Sequence, residues 1–234
     1  MKTLWVFGDS YALPYHKDAP ESRIHWQFLL TKNLNCDSVK TFAAAGAANE
    51  WIYGQFTEQL NQITPNDFVI FVSTQVNRRW FFPDNIGSSN YGVSHSGLAD
   101  LSSEQKTALK YYMAYLDNPI MSFINFECLC NSIHRVSEQN KINLLILPGF
   151  ENQGYPVSGR YQISGSLFDI CVNEVKGKDM DSWMHFISNI HKGLDPRVGH
   201  LSQDNHQILA DKLSATFLKN KILNLEQGFR EEFL

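Results

Sequence analysis

Residues 3–11 read Thr-Leu-Trp-Val-Phe-Gly-Asp-Ser-Tyr. The apolar run from Leu4 to Phe7 has no polar alternation, so it reads as a short strand covered on both faces. Gly8-Asp9-Ser10 then breaks the run with residues suited to a tight turn. Helical spacing follows at Trp26, Leu29, Leu30 and Leu34. A buried strand that turns directly into a helix is the opening unit of a parallel α/β sheet.

The same alternation continues along the chain. Ser38 to Phe42 reads as a second strand, and Ile52, Phe56, Leu60 and Ile63 mark a helix face closed by Pro65. Phe68-Val69-Ile70-Phe71-Val72 is the clearest strand, continuously apolar as a central parallel strand must be. From Trp80 to Ser102 glycines, serines and asparagines predict a long loop, of the length that usually serves function or moves. Helices are expected over Ser103 to about Leu116 and, restarting at Asn118-Pro119, to about Gln139. Ile142 to Leu147 is a further strand, ended by Pro148-Gly149. The stretch 150–194 predicts a short strand near Ile170 and a helix near Trp183 to Ile190. Gln203 to Lys219 is the last helix, with Ser202 as its N-cap. The expected fold is a three-layer αβα sandwich around a parallel sheet of about five strands. We read residues 1–234 as one domain with a loop and helical insertion at about 80–118.

Composition narrows the function classes. Apolar residues at 43% and charged residues at 19% describe a folded chain with one sizeable core. A net charge of -4 gives no general attraction to nucleic acid or anionic membranes, so neither is expected as a partner. No apolar run approaches the roughly 20 residues of a membrane span, and Lys2 to Phe7 is too short for a signal peptide core. A cytoplasmic location is the expectation. Cys36, Cys128, Cys130 and Cys171 are sparse and predict free thiols rather than a disulfide framework. The histidines form no metal-ligand pattern, so no metal or other cofactor is expected.

Ligand sites in such sheets lie beyond the carboxyl ends of the strands. That rule selects the turns after Phe7, Phe42, Val72 and Leu147. Ser10, at the first turn, suits a nucleophile, and backbone N–H groups near it suit an oxyanion. The plainer alternative is a helix cap, since Asp and Ser both cap helices. A phosphate-binding turn is disfavoured, because no glycine follows Gly8 until Gly46.

Taken in order, these turns resemble the SGNH (GDSL-like) hydrolase family, which has four short blocks. Gly8-Asp9-Ser10 resembles the first, and Phe42-Ala43-Ala44-Ala45-Gly46-Ala47-Ala48-Asn49 the second, with Gly46 as its glycine. The third block is degenerate: Val72-Ser73-Thr74-Gln75-Val76-Asn77-Arg78-Arg79 lacks the usual Gly-x-Asn-Asp. Either Asn77 or Gln75 supplies the amide there, with Asn77 slightly favoured. Arg78 or Arg79 lines the pocket for an anionic group, or the two form a solvated surface pair. Asp195-Pro196-Arg197-Val198-Gly199-His200-Leu201-Ser202 resembles the fourth block. The family's acid stands three residues before its histidine, where this chain has Arg197, so Asp195 or a backbone carbonyl is left to orient the ring.

The resemblance implies a flavodoxin-like SGNH fold and ester hydrolysis through an acyl-enzyme. Ser10 would be nucleophile, His200 base and Asp195 the orienting acid. The N–H groups of Ser10 and Gly46, with Asn77 or Gln75, would hold the oxyanion. The implied partner is a small-molecule or carbohydrate ester, O-acetyl esters among them. The resemblance extends to proteins of phage and bacterial genomes, which would make the chain virion-associated if phage-encoded. The degenerate third block and the displaced acid leave a second reading open, a non-catalytic SGNH-like binding module.

Overall fold

The first strand forms where the apolar run stands. In a computed structural model, which describes residues 1–14, 25–80, 90–91, 102–150, 163–174 and 201–230, β1 spans Thr3–Gly8. Helix α1 (Trp26–Asn33), β2 (Ser38–Ala43), α2 (Asn49–Gln59) and β3 (Phe68–Ser73) follow. Past β3 come a two-residue antiparallel pair, β4 (Arg79–Trp80) with β5 (Asn90–Tyr91), and then α3 (Ser103–Tyr115) and α4 (Pro119–Gln139). The chain returns through β6 (Asn143–Pro148), β7 (Ile163–Ser164), α5 (Leu167–Glu174), α6 (Gln203–Lys219) and β8 (Leu223–Asn224).

The central sheet is parallel, in the order β2-β1-β3-β6. Side chains alternate across it as the pleat requires. Leu4, Val6, Ile70, Val72, Leu145 and Leu147 face a core closed by α1, α5 and α6. Trp5, Phe7, Val69, Phe71, Leu144 and Ile146 face a second core closed by α2 and α4. Continuous apolarity in β1, β3 and β6 thus has the cause expected of it: both faces are covered.

Caps set the helix ends. Ser102 Oγ accepts from the Gln105 N–H at 3.2 Å, and Gln105 Oε1 accepts from the Ser102 N–H at 2.9 Å, a reciprocal capping box that starts α3. Asn118 Oδ1 accepts from the Ile120 N–H at 3.0 Å, with Pro119 in the first helical position of α4. Ser202 caps α6 as expected. At the amino end of the sheet, buried Asp67 accepts from the Thr3 N–H at 2.7 Å and the Thr64 N–H at 2.8 Å, joining β1 to the β3 entry.

The three-layer α/β architecture agrees with expectation, with two corrections. The parallel sheet has four strands among the described residues rather than about five. Ile170 lies in helix α5, not in a strand: Leu167, Ile170 and Cys171 recur at helical spacing and are buried together, and Asp169 makes three hydrogen bonds with Ser166 at the helix start. The helix expected near Trp183 to Ile190, and most of the loop expected from Trp80 to Ser102, lie outside the described residues. Among the described residues, no helix is long and apolar enough to cross a membrane.

Candidate active site

Strand order fixes where a site can open. From β1 the chain moves outward to β2, then crosses back over β1 to β3 on the other side. The crevice at such a reversal lies at the carboxyl ends of β1 and β3. Gly8 pairs with Ala43 and Ser73 with Pro148, so the turns that follow all leave the same edge of the sheet.

The β1 turn leaves no room for a side chain at Gly8. A Cβ there would stand 2.7 Å from the Ala12 Cβ and 2.8 Å from the Val72 Cβ, which forces glycine. Asp9 is fully buried. Its carbonyl accepts from the N–H groups of Ala12 and Leu13, both at 3.1 Å, so the chain turns tightly around Ser10, which is half-buried. Its Oδ1 accepts from the Tyr11 N–H at 3.1 Å. The Tyr11 phenol is buried, and burial raises its pKa above the ordinary value, which keeps it neutral at physiological pH. Its carbonyl accepts from the Trp26 indole at 3.0 Å, tying the turn to α1.

The β2 turn carries Gly46. Gly46 has φ +73°, a left-handed conformation that disfavours side chains, and Ala47 N–H closes the turn on the Ala44 carbonyl at 3.1 Å. Asn49 at the start of α2 is buried and clamps the neighbouring turn: its Nδ2 donates to the Thr74 carbonyl at 3.0 Å and its Oδ1 accepts from the Thr74 N–H at 2.9 Å.

The β3 turn is a polar hub. Thr74 Oγ1 donates to Asp9 Oδ2 at 2.9 Å. Arg78 Nη1 donates to the same oxygen at 2.9 Å and to Thr74 Oγ1 at 2.6 Å. The guanidinium lies 4.8 Å over the Phe150 ring, just past β6. Gly149 lets the end of β6 lie against the end of β3: its N–H donates to the Ser73 carbonyl at 2.8 Å, and a Cβ there would meet that oxygen at 2.4 Å. Asp9, which directly precedes Ser10, is thus held through both carboxylate oxygens. A charged group out of water needs such partners.

Gln75 and Asn77 stand on a turn closed by the Arg78 N–H on the Gln75 carbonyl at 3.2 Å. Both side chains are exposed, and neither amide has a hydrogen-bond partner among the described residues. Arg78 has an internal partner, Asp9, which sequence reading did not assign to it. Arg79 is not a free surface cation either: it reaches Glu50 Oε1 at 3.3 Å, the Val76 carbonyl at 2.8 Å and the hydroxyl of Ser122. Burial holds the Glu50 carboxyl above its usual range, with Arg79 opposing that shift.

His200 and Asp195 lie outside the described residues. Leu201, next in sequence to His200, is buried in the core that also holds Tyr11 and Trp26. Further into α6, His206 is buried; its Nδ1 accepts from the Trp26 N–H at 3.4 Å and its ring lies 4.7 Å from that of His25. That contact fits the structural role its helical position suggests. Among the described residues, no cluster of three or more His, Cys, Asp or Glu side chains has the arrangement of a metal site.

Sequence reading missed the network behind the serine: Asp9 as partner of Arg78, and Asn49 and Thr74 as the link between turns. Their signal is weak because each is a single polar residue beside a strand, and pairing between positions 9, 49, 74 and 78 depends on strand order.

Neither a family model nor a curated protein matches the chain. Solved structures do resemble it at low identity. A protein assigned to the G-D-S-L lipolytic family from Desulfitobacterium hafniense DCB-2 has 12% identity over 91% of this chain and 97% of that one, with a TM-score of 0.42. A protein assigned as an arylesterase from Agrobacterium tumefaciens C58 has 12% identity over 92% and 97%, with a TM-score of 0.39. A member of the lipolytic G-D-S-L family from Veillonella parvula DSM 2008 has 8% identity over 95% and 100%, with a TM-score of 0.37.

Proposed function

We propose that the chain is a serine hydrolase of SGNH type that cleaves esters through an acyl-enzyme, with Ser10 as nucleophile and His200 as base. One observation supports this above the others. Ser10 follows β1 at the strand-order reversal, and the turns bearing Ser10, Gly46, Gln75 and Asn77 are bound into one unit by Asp9, Asn49, Thr74 and Arg78. A helix cap needs no such bracing. A nucleophile does, because a transition state is stabilised only by donors already in place.

In this reading the Ser10 Oγ bonds to the ester carbonyl carbon while its proton passes to the His200 imidazole. The carbonyl oxygen becomes an oxyanion, met by the N–H groups of Ser10 and Gly46 and by the amide of Asn77 or Gln75. The carbon–oxygen bond to the leaving alcohol breaks, and that alcohol takes the proton from His200. Water then attacks the acyl-Ser10 by the reverse proton route, which frees the acid and restores the serine. Asp195 orients the imidazole, or a backbone carbonyl does so. The substrate class is a small ester, O-acetyl groups on carbohydrate included. The reaction requires no cofactor.

Turnover of short-chain nitrophenyl esters tests the proposal. Wild type hydrolyses them and Ser10→Ala does not, while the thermal midpoint stays within about 2 °C, since a half-buried hydroxyl adds little packing. Equal turnover in both proteins refutes the role of Ser10. No turnover in either favours the binding-module reading, which the altered third block and Arg197 at the family's acid position support.

A further inference from the structure

The corner between α3 and α4 is apolar on its outside. Tyr115 is 78% exposed, Leu116 70% and Ile120 71%, and Tyr111, Met121 and Ile124 are about half exposed. Tyr111 and Tyr115 stack at 6.1 Å along one side of α3, and Ile120 and Ile124 stand one turn apart on α4. α4 already buries Phe126 and Ile133, the latter in the core against the sheet, so Ile120 and Ile124 belong to a second apolar face that nothing among the described residues covers.

Area and charge indicate what covers it. The six residues together expose the equivalent of between three and four whole residues, roughly 740 Å² at about 200 Å² each. The largest apolar patch on an ordinary monomer is about 300–600 Å². One partner's share of a standard protein interface is about 800 Å². From Tyr111 to Phe126 the chain has one charged residue, Asp117. A two-fold interface sets a patch against itself, so every charge in it meets its like; a patch nearly without charge avoids that cost. A lipid surface is the poorer match, because interfacial helices are rich in Lys and Arg along their polar face, whereas the exposed part of α4 at this corner has neither and α3 has only Lys106 and Lys110.

We infer that the α3–α4 corner is the interface of a homodimer, with a second copy of the chain as its occupant. The corner is joined to the turn after β3 by Arg79, whose side chain spans Glu50, the Tyr112 hydroxyl and Ser122. The inference is independent of the hydrolase reading.

Sedimentation velocity of the full chain between about 1 and 100 µM tests it, a range at or above the dissociation constants of standard-size interfaces, so that a dimer is populated and its weakening is read as dissociation toward the low end. Wild type sediments as a dimer. Leu116→Lys with Ile120→Lys raises the dissociation constant by roughly 100-fold or more, because a two-fold axis counts each change twice. Ile120→Ser alone, judged folded by an unchanged thermal midpoint, gives a smaller rise in the same direction. A wild type that stays monomeric at the top of the range overturns the inference, as does a dimer indifferent to folded variants. A monomer that floats with phosphatidylcholine vesicles, and loses this in the Lys variants, overturns it in favour of a membrane.

Discussion

Replacing Arg78 by methionine keeps much of its length and removes its charge. Asp9 is fully buried, and Arg78 Nη1 at 2.9 Å is the cation that opposes it. Removing one partner of a buried ion pair typically costs about 3–5 kcal/mol, because the other charge is left uncompensated. Asp9 keeps Thr74 Oγ1 at 2.9 Å and the Tyr11 N–H at 3.1 Å, which places Arg78→Met at the low end, about 3 kcal/mol. Asp9→Asn is milder. It leaves Arg78 13% exposed, within reach of water and still over Phe150, for a cost of about 1–2 kcal/mol. The double variant has no buried charge to abandon, so it falls short of the sum by about 1–2 kcal/mol. In a chain of this length 1 kcal/mol moves the thermal midpoint by about 2–4 °C, so Arg78→Met lowers it by about 6–12 °C. Urea denaturation of the four proteins gives the cycle directly. Strict additivity, or an Arg78→Met midpoint within about 2 °C of wild type, refutes the claim that this pair holds the nucleophile turn.

Gly46→Ala puts a side chain at φ +73° and costs about 1 kcal/mol of stability, read as a midpoint lower by about 2–4 °C, with turnover reduced through the displaced N–H. Asp195→Asn lowers kcat less than His200→Ala does, since one orients the ring and the other removes the proton carrier; equal and full activity in Asp195→Asn points to another orienting group. Burial pushes the Cys130 thiol up to about 12, so it stays protonated at pH 8.5 and iodoacetamide labels exposed Cys128 first. Mass mapping that finds Cys130 modified first contradicts that assignment.

How much was legible follows from what each signal depends on. β1, β3 and β6 were readable because burial on both faces writes an unbroken apolar run, as in Phe68 to Val72. The starts of α3, α4 and α6 were readable because caps are local: Ser102, Asn118 and Ser202 act within three residues of themselves. Ile170 misled because a short apolar stretch fits strand or helix equally, and packing against the core decided it. The turns at Ser10 and Gly46 were found from their place after strands. The Asp9–Thr74–Arg78 hub was not, because its members are 65 and 69 residues from Asp9 and meet only once β1 and β3 pair. Arg78 next to Arg79 looks like a surface pair in one dimension; in three, each has its own carboxylate.

The central claim, that Ser10 is an activated nucleophile, is tested most directly by covalent labelling. A fluorophosphonate is displaced at phosphorus by an activated serine oxygen, losing fluoride and leaving a stable adduct. Peptide mapping after labelling of the folded chain is predicted to place one adduct on the peptide containing Ser10. Ser10→Ala is predicted to abolish it and His200→Ala to slow it sharply. A folded wild type that takes no label, or a label that persists in Ser10→Ala, contradicts the account.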